Sequence, residues 1–154
     1  MHPEHNMRVG TNAIIIRHGH LLVVAFEDES GFHYNMPGGG VEAGESVPQA
    51  LRREVREEAA AEVEVGPLAL AYEYFPAAHA DQYGTLHKLT LFFHCTLQDG
   101  SEPRLPDVPD PNQVGVEWLP LERLEAAPLF PSLGALWRTL VESNPVVSLF
   151  SPYN

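Results

Sequence analysis

The feature that most constrains this chain is a run of three glycines, Gly38-Gly39-Gly40, followed by a capped helix that carries carboxylates on its own apolar face. Glycines let the backbone approach a ligand closely and present its N–H and C=O groups. The run ends in Glu42-Ala43-Gly44-Glu45, directly before Ser46-Val47-Pro48-Gln49. That tetrad has the S-x-x-Q form of a capping box, with Pro48 in the first turn, where its missing N–H costs nothing. The pattern predicts a helix from Ser46 to about Ala60. At about 100° per residue, Val47, Ala50, Leu51 and Val55 define the face that looks inward, and Arg52 and Arg56 lie opposite. Glu54 and Glu58 fall in the middle of the inward face and Glu57 at its border. The three carboxylates span an arc of about 100° over about one turn.

Acidic helical runs are usually solvated and salt-bridged, but a solvated run should not interrupt an apolar stripe. Two like charges about 5–6 Å apart on neighbouring turns repel by roughly 1 kcal/mol in water and several-fold more when partly buried. Against a typical stability of about 5–15 kcal/mol, three such groups are a heavy liability. Either their pKa values rise or a divalent cation neutralises them. A carboxylate-only cluster suits a hard cation such as Mg²⁺ or Mn²⁺ and not zinc, which prefers His and Cys. The glycine turn alone is a weak signal, being neither a Walker loop nor a dinucleotide fingerprint. Its weight comes from standing immediately before the carboxylate helix.

A chain of 154 residues, 44% apolar, is long enough for one domain with a real core, with 1–8 and 145–154 as peripheral tails. Its net charge of −12 repels nucleic-acid phosphates, and no Lys/Arg stripe offsets it. A protein of this charge acting on phosphate esters needs cations from solution. The single cysteine, Cys95, excludes an intrachain disulfide and reads as a small core residue. The N-terminus lacks an apolar h-region and no apolar run approaches about 20 residues, so a cytoplasmic protein without a membrane partner is expected.

Along the chain, Asn12–Arg17 and Leu21–Phe26 read as a hairpin about His18-Gly19-His20, Phe32–Met36 as a short strand, and Pro37–Gly40 as a loop. Val63–Phe75, Leu86–Leu97 and Val114–Leu119 are further strands. In the second of these, Leu89, Leu91, Phe93, Cys95 and Leu97 share one face. Gln98–Gln113 is a proline-rich acidic loop and Leu133–Glu142 a closing helix. The apolar tail Val146–Phe150 must pack on its own domain or on a partner subunit, which raises a homodimer as an expectation. The fold class is α/β (α+β), a mixed sheet covered by helices on both faces.

Gly39, five residues, Glu45, seven residues, then Arg53-Glu54-Val55-Arg56-Glu57-Glu58 resembles the Nudix box, G-x5-E-x7-R-E-U-x-E-E-x-G-U, where U is aliphatic. Tyr34-Asn35-Met36-Pro37-Gly38 resembles the aromatic-x-Leu-Pro-Gly lead-in common in that family. The box covers Gly39–Ala61, and element order extends the likeness to most of the chain. The resemblance implies an α/β/α sandwich. It implies Glu54, Glu57 and Glu58 as side-chain metal ligands, the Gly39 carbonyl as a further one, Arg53 orienting the carboxylates, and Glu45 structural or assisting the base. Family members commonly take another acid or base from outside the box; Asp107, Asp110, Glu117 and Glu73 are candidates, while Gln113 and Gly115 stand where relatives often place an acid. Two positions depart from the pattern. Ala60 replaces the box's last glycine and Ala61 the aliphatic residue after it. Alanine in a left-handed cap costs about 1–2 kcal/mol, which points to a helix that ends differently.

The activity implied is Mg²⁺-dependent hydrolysis of a nucleoside diphosphate linked to another moiety, with Mn²⁺ able to substitute. Gly38 and Gly40 are candidates to meet the substrate through their backbone. Phe32, Tyr34, Phe75 and Tyr83 are candidates to stack on a base, although strand and loop aromatics are more often packing residues. Arg17 and His87 are candidates for phosphate contact. Nothing selects among ADP-ribose, nucleoside triphosphates, dinucleoside polyphosphates and nucleotide sugars. The rivals are a non-catalytic nucleotide sensor and a diphosphate isomerase on the same fold. Sensors usually lose a box carboxylate, and this chain keeps all three.

Overall fold

Aliphatic residues at consecutive positions, not merely alternate ones, make β1 (Arg8–Arg17) and β2 (His20–Asp28) strands buried on both faces. They are joined through His18 and Gly19, both at positive φ, as a two-residue hairpin turn requires. The computed structural model describes residues 6–82, 84–143 and 146–149. β1 and β2 pair only at Ile16↔Leu21 and Arg17↔His20 before they diverge. The splayed edges are filled by the next two segments: β3 (Gly31–Asn35) continues along β2, and β4 (Gly38–Gly40) lies antiparallel on Gly10–Asn12 of β1. β5 (Val63–Tyr74), β6 (Lys88–Leu97), β7 (Gln113–Pro120) and β8 (Val147–Leu149) complete the sheet. Its order is β3-β2-β1-β6-β5-β8, with β4 on β1 and β7 on β2. The β1–β6 and β5–β8 pairs are parallel and the others antiparallel, so the sheet is mixed.

Each face carries its own core. α1 (Val47–Ala59) packs Leu51 and Val55 onto Ala13, Ile15, Leu22, Val63 and Cys95. On the opposite face α2 (Ala135–Ser143) buries Trp137 and Leu140 against Ile14, Val23, Leu70 and Phe92. Odd and even residues of β1 therefore serve different helices, which is the expected α/β/α arrangement. Cys95 is a core residue as its sequence setting suggested, its thiol pushed up to about 11 by burial. No described helix is long and apolar enough to cross a membrane.

Two local expectations change, and one open alternative is decided. The glycine run is a strand, not a loop: a Cβ on Gly38 would lie 2.1 Å from the Thr11 carbonyl oxygen, so the close pairing with β1 admits only glycine there. The tail segment Val147–Leu149 pairs with β5 and so packs on its own domain, while Phe150 lies outside the described residues. α1 ends where the family's glycine would end it. Ala60 itself takes the left-handed conformation at φ 50°, donating its N–H to Arg56 O at 3.1 Å. The loop that follows β6 makes this tenable: the Arg104 N–H reaches Ala59 O at 2.9 Å, and Gln113 Nε2 reaches Glu58 O at 2.6 Å. Carbonyls that α1 cannot satisfy internally are thus taken by downstream donors.

Because the left-handed strain at Ala60 stays in the native state, Ala60→Gly should stabilise the protein. The relief of about 1–2 kcal/mol exceeds the added unfolded-state entropy of about 0.4–1 kcal/mol, a net rise of roughly 1–4 °C in Tm. A thermal melt checks it; an unchanged or lowered Tm would show that the cap is not strained.

Candidate active site

The capping box forms as the sequence predicted. Gln49 N donates to Ser46 Oγ at 3.3 Å, and Ser46 N donates to Gln49 Oε1 at 2.8 Å. With its start fixed there, α1 delivers its acidic residues to the glycine strand at graded depth. Glu58 is 3% exposed, and its carboxylate accepts the Gly38 N–H at 3.0 Å. The Glu54 side chain is 13% exposed and lies flat against Gly39, where a Cβ would be 2.5 Å from its carboxyl carbon. Glu57, 51% exposed, stands at the outer border. The inward arc read from helical periodicity is therefore present.

Arg53 ties these groups together. Its guanidinium donates to both Glu45 carboxylate oxygens, at 3.1 and 2.8 Å, and to Gly40 O at 3.0 Å. The same side chain reaches Glu54 at 2.9 Å and Glu57 at 3.3 Å. Glu45 beside it raises the Arg53 pKa, and Arg53 in turn holds the Glu45 carboxyl below its usual value. Arg53 thus orients Glu54 and Glu57, and Glu45 fixes Arg53.

Desolvation acts hardest on the deepest group. Burial pushes the Glu58 carboxyl up to about 8, opposed by the Gly38 N–H and reinforced by Glu54, Asp110 and Glu57. Burial likewise raises Glu54, with Arg53 opposing. Among the described residues no three His, Cys, Asp or Glu side chains converge closely enough to cage an ion by themselves. The reason is visible: Glu54 and Glu57 are drawn to Arg53, and Glu58 to Gly38. Their spacing on one turn still leaves a set of hard oxygen donors beside the Gly39 backbone, which fits a divalent ion bound by carboxylates and a carbonyl.

Of the acids outside the helix, Asp110 is the one whose charge is felt at both Glu54 and Glu58. It sits in a reciprocal pair with Gln113, whose side chain holds the end of α1. Asp107 pairs with Arg104, Glu117 bonds the Tyr34 hydroxyl, and Glu73 bonds His87 Nε2 at 2.8 Å. The structure brings none of those three to the cluster.

Arg17 is also placed elsewhere. It lies at the far end of β1, bidentate to Glu102 at 2.8 Å and stacked over Trp118, so it is not brought to the glycine strand. His87 and Phe75 pack on each other, and Phe32 edges onto Tyr34. Tyr83 lies outside the described residues. Tyr34 contacts Phe130 through its backbone: the Phe130 N–H donates to Tyr34 O at 2.9 Å. A cavity of about 310 Å³ opens on the opposite side of the glycine strand, lined by Gly38–Gly40 with Arg8, Asn35, Lys88, Phe92 and Phe130 among others. Gly38 and Gly40 therefore line a pocket, whose side-chain wall was not foreseen. The only sequence signal for it is Asn35, inside the lead-in to the box.

The NUDIX domain family model matches residues 6–138, which span the glycine strand, the carboxylate helix and the cavity. The chain belongs to the Nudix family. Among curated proteins no match is found. Solved structures similar to it include a NUDIX hydrolase from Nitrosomonas europaea, at 23% identity and TM-score 0.73, with 90% of each chain covered. An ADP-ribose pyrophosphatase from Streptococcus suis matches at 22% identity and TM-score 0.65, over 93% of this chain and 98% of that one. A UDP-X diphosphatase matches at 16% identity and TM-score 0.73, over 97% of this chain and 70% of that one. At these identities the neighbours establish the Nudix fold.

The raised Glu58 carboxyl sets a pH dependence. The folded state keeps this proton up to about pH 8, whereas the usual carboxyl loses it near 4.5, so the folded state holds the extra proton between those values. Stability without divalent ions should then fall as pH rises from about 4.5 to about 8, by on the order of a few kcal/mol. Melts in EDTA across that window check it. Glu58→Gln should flatten the profile; an unchanged slope in the variant would assign the loss to another group.

Proposed function

We propose that this Nudix protein is a Mg²⁺-dependent pyrophosphohydrolase that cleaves the diphosphate linkage of a nucleoside diphosphate joined to another moiety, with Mn²⁺ able to replace Mg²⁺. The observation that carries this is the set of carboxylates pressed onto a glycine strand, the deepest of them buried and bonded to Gly38 N–H. Burying such groups carries a desolvation cost that a bound divalent ion would offset. The names of the neighbours, an ADP-ribose pyrophosphatase and a UDP-X diphosphatase, agree with a diphosphate substrate and do not choose among them.

Glu54, Glu57 and Glu58, with Gly39 O, are the groups that would hold the ion. When bound, it neutralises charge on the diphosphate and so favours attack at phosphorus. The chain's own contribution is geometric. Arg53, fixed by Glu45 and by Gly40 O, sets the rotamers of Glu54 and Glu57. Gly39, lacking a side chain, leaves Glu54 against the strand where the diphosphate would lie. Asp110, whose charge is felt at both Glu54 and Glu58, is the candidate to accept a proton from the attacking water.

Incubation with ADP-ribose, nucleoside triphosphates, UDP-sugars and dinucleoside polyphosphates, with and without Mg²⁺, tests the reading. Two phosphate-bearing products, formed only with the ion, are expected; tight binding with no product would make the protein a nucleotide sensor. Glu57→Gln should lower kcat by roughly two to three orders of magnitude, since several kcal/mol of charge stabilisation goes with a lost ligand. Its Tm in EDTA should hold or rise slightly, because one repulsive charge is removed.

A further inference from the structure

Thr11 is a buried hydroxyl with nothing to bond. Among the described residues the buried polar side chains are Thr11, Glu58 and Gln113. Glu58 accepts the Gly38 N–H, and Gln113 donates to Glu58 O. Thr11 is the deepest of the three, at 0% exposure, and its Oγ1 has no hydrogen-bond partner among the described residues. Buried polar groups left unpaired are costly and rare in folded proteins. The fold itself does not call for a hydroxyl here. Ala13 and Ile15, which share this face of β1, are aliphatic core residues. Valine has the shape of threonine and a similar preference for strands.

Strand register says what the hydroxyl faces. Thr11 stands directly opposite Gly39 across the antiparallel β1–β4 pair. Residues so opposed put their side chains on one face, with Cβ atoms about 4.5–5.5 Å apart. On that face a Cβ at Gly39 would lie 2.5 Å from the Glu54 carboxyl carbon, and 2.5 and 2.7 Å from its two oxygens. The Glu54 carboxyl group therefore fills the space of the missing Gly39 side chain, which makes it the cross-strand neighbour of Thr11. Of its oxygens, Oε1 is held by Arg53 at 2.9 Å, and Oε2 accepts no hydrogen bond among the described residues. An unfilled donor and an unfilled acceptor thus lie side by side on the α1 face of the glycine strand.

Carboxylates that ligate a metal are themselves held by hydrogen bonds, and the partners that hold them govern how tightly the ion binds. Arg53 supplies one such bond to Glu54 from the Glu45 side. Thr11 stands where a second can come from the sheet beneath.

We infer that Thr11 is a positioning residue for the ion site, its hydroxyl donating to the Glu54 carboxylate when that group serves a divalent ion. The inference rests on the reading of Glu54, Glu57 and Glu58 as ion ligands, but not on turnover. It gives the hydroxyl opposite effects in two states. Without the ion it is an unpaired buried group; with the ion it fixes a ligand.

Calorimetric titration of Mn²⁺ and of Mg²⁺ into metal-free protein, together with thermal melts in EDTA, tests it. Thr11→Val should weaken ion affinity by roughly ten- to a hundred-fold. In EDTA the same variant should melt roughly 2–4 °C above the wild type, because the unpaired hydroxyl is gone. Thr11→Ser should keep most of the affinity. Thr90 is the register partner of Gly10, on the face opposite to Thr11, so Thr90→Val should leave ion affinity unchanged. Thr11→Val binding the ion like the wild type, as it would if a structural water satisfied the hydroxyl, would overturn the inference. So would a loss of affinity joined to a lower Tm in EDTA, an equal loss in Thr11→Ser, or an equal loss in Thr90→Val. A wild type that binds neither ion defeats this inference and the hydrolase reading together. Ion binding that depends on Thr11, with no cleavage of any nucleotide offered, defeats the hydrolase reading alone. Cleavage by a protein whose Thr11→Val variant binds the ion as tightly as the wild type defeats this inference alone.

Discussion

The hydrogen bond from Gly38 N–H to the buried Glu58 carboxylate joins the two halves of this site. It draws a carboxyl group into a nearly dry position and brings the first residue of the glycine strand onto the last turn of α1. Once that distance is set, side chains at Gly38 and Gly39 have no room, since they would meet β1 backbone and the Glu54 carboxylate. The glycines are thus a consequence of close approach, not of a need for unusual dihedrals: none of Gly38, Gly39 and Gly40 has a positive φ. Arg53 completes the joint from the other side by bonding Gly40 O and three carboxylates of the box.

This joint divides space by charge. On the α1 side the strand faces carboxylates that repel one another and whose protonation is favoured by burial. On the far side it faces Arg8 and Lys88. The loop of residues 98–112 closes the arrangement: it caps α1 through Arg104 N–H, its Asp110 adds charge at the deep carboxylates, and Gln113 just after it donates its side-chain amide to Glu58 O. This proline-rich segment thereby holds the C-terminal end of α1 in place.

What was legible in the sequence is what has short-range periodicity. The Ser46–Gln49 box, the inward arc of Glu54 and Glu58, and the aliphatic runs of β1, β2 and β6 all follow from repeats of 3.6 or 2 residues and were read correctly in type. Boundaries moved where the backbone pairs without a side-chain pattern, as at Arg8, where β1 begins earlier, and at β4, because glycine is depleted in strands and gives no strand signal. Ala60 misled because a local cap cost was offset by a loop some forty residues downstream. The choice of Asp110 over Asp107, Glu117 and Glu73, the isolation of Arg17 from the site, and the placing of Thr11 opposite Gly39 all depend on register between distant strands. No single-chain pattern contains that information.

A Glu58 carboxyl that keeps its proton near neutrality would have to give it up to a divalent ion bound there. Calorimetric titration of Mg²⁺ into the protein at pH 7, repeated in buffers of different ionisation enthalpy, counts the protons released. With the carboxyl raised to about 8, roughly one proton should leave per ion bound at pH 7, falling toward none above about pH 9, and Glu58→Gln should abolish the release. Mg²⁺ binding at pH 7 with no proton release, and equally tight in Glu58→Gln, would show that Glu58 neither keeps its proton nor meets the ion.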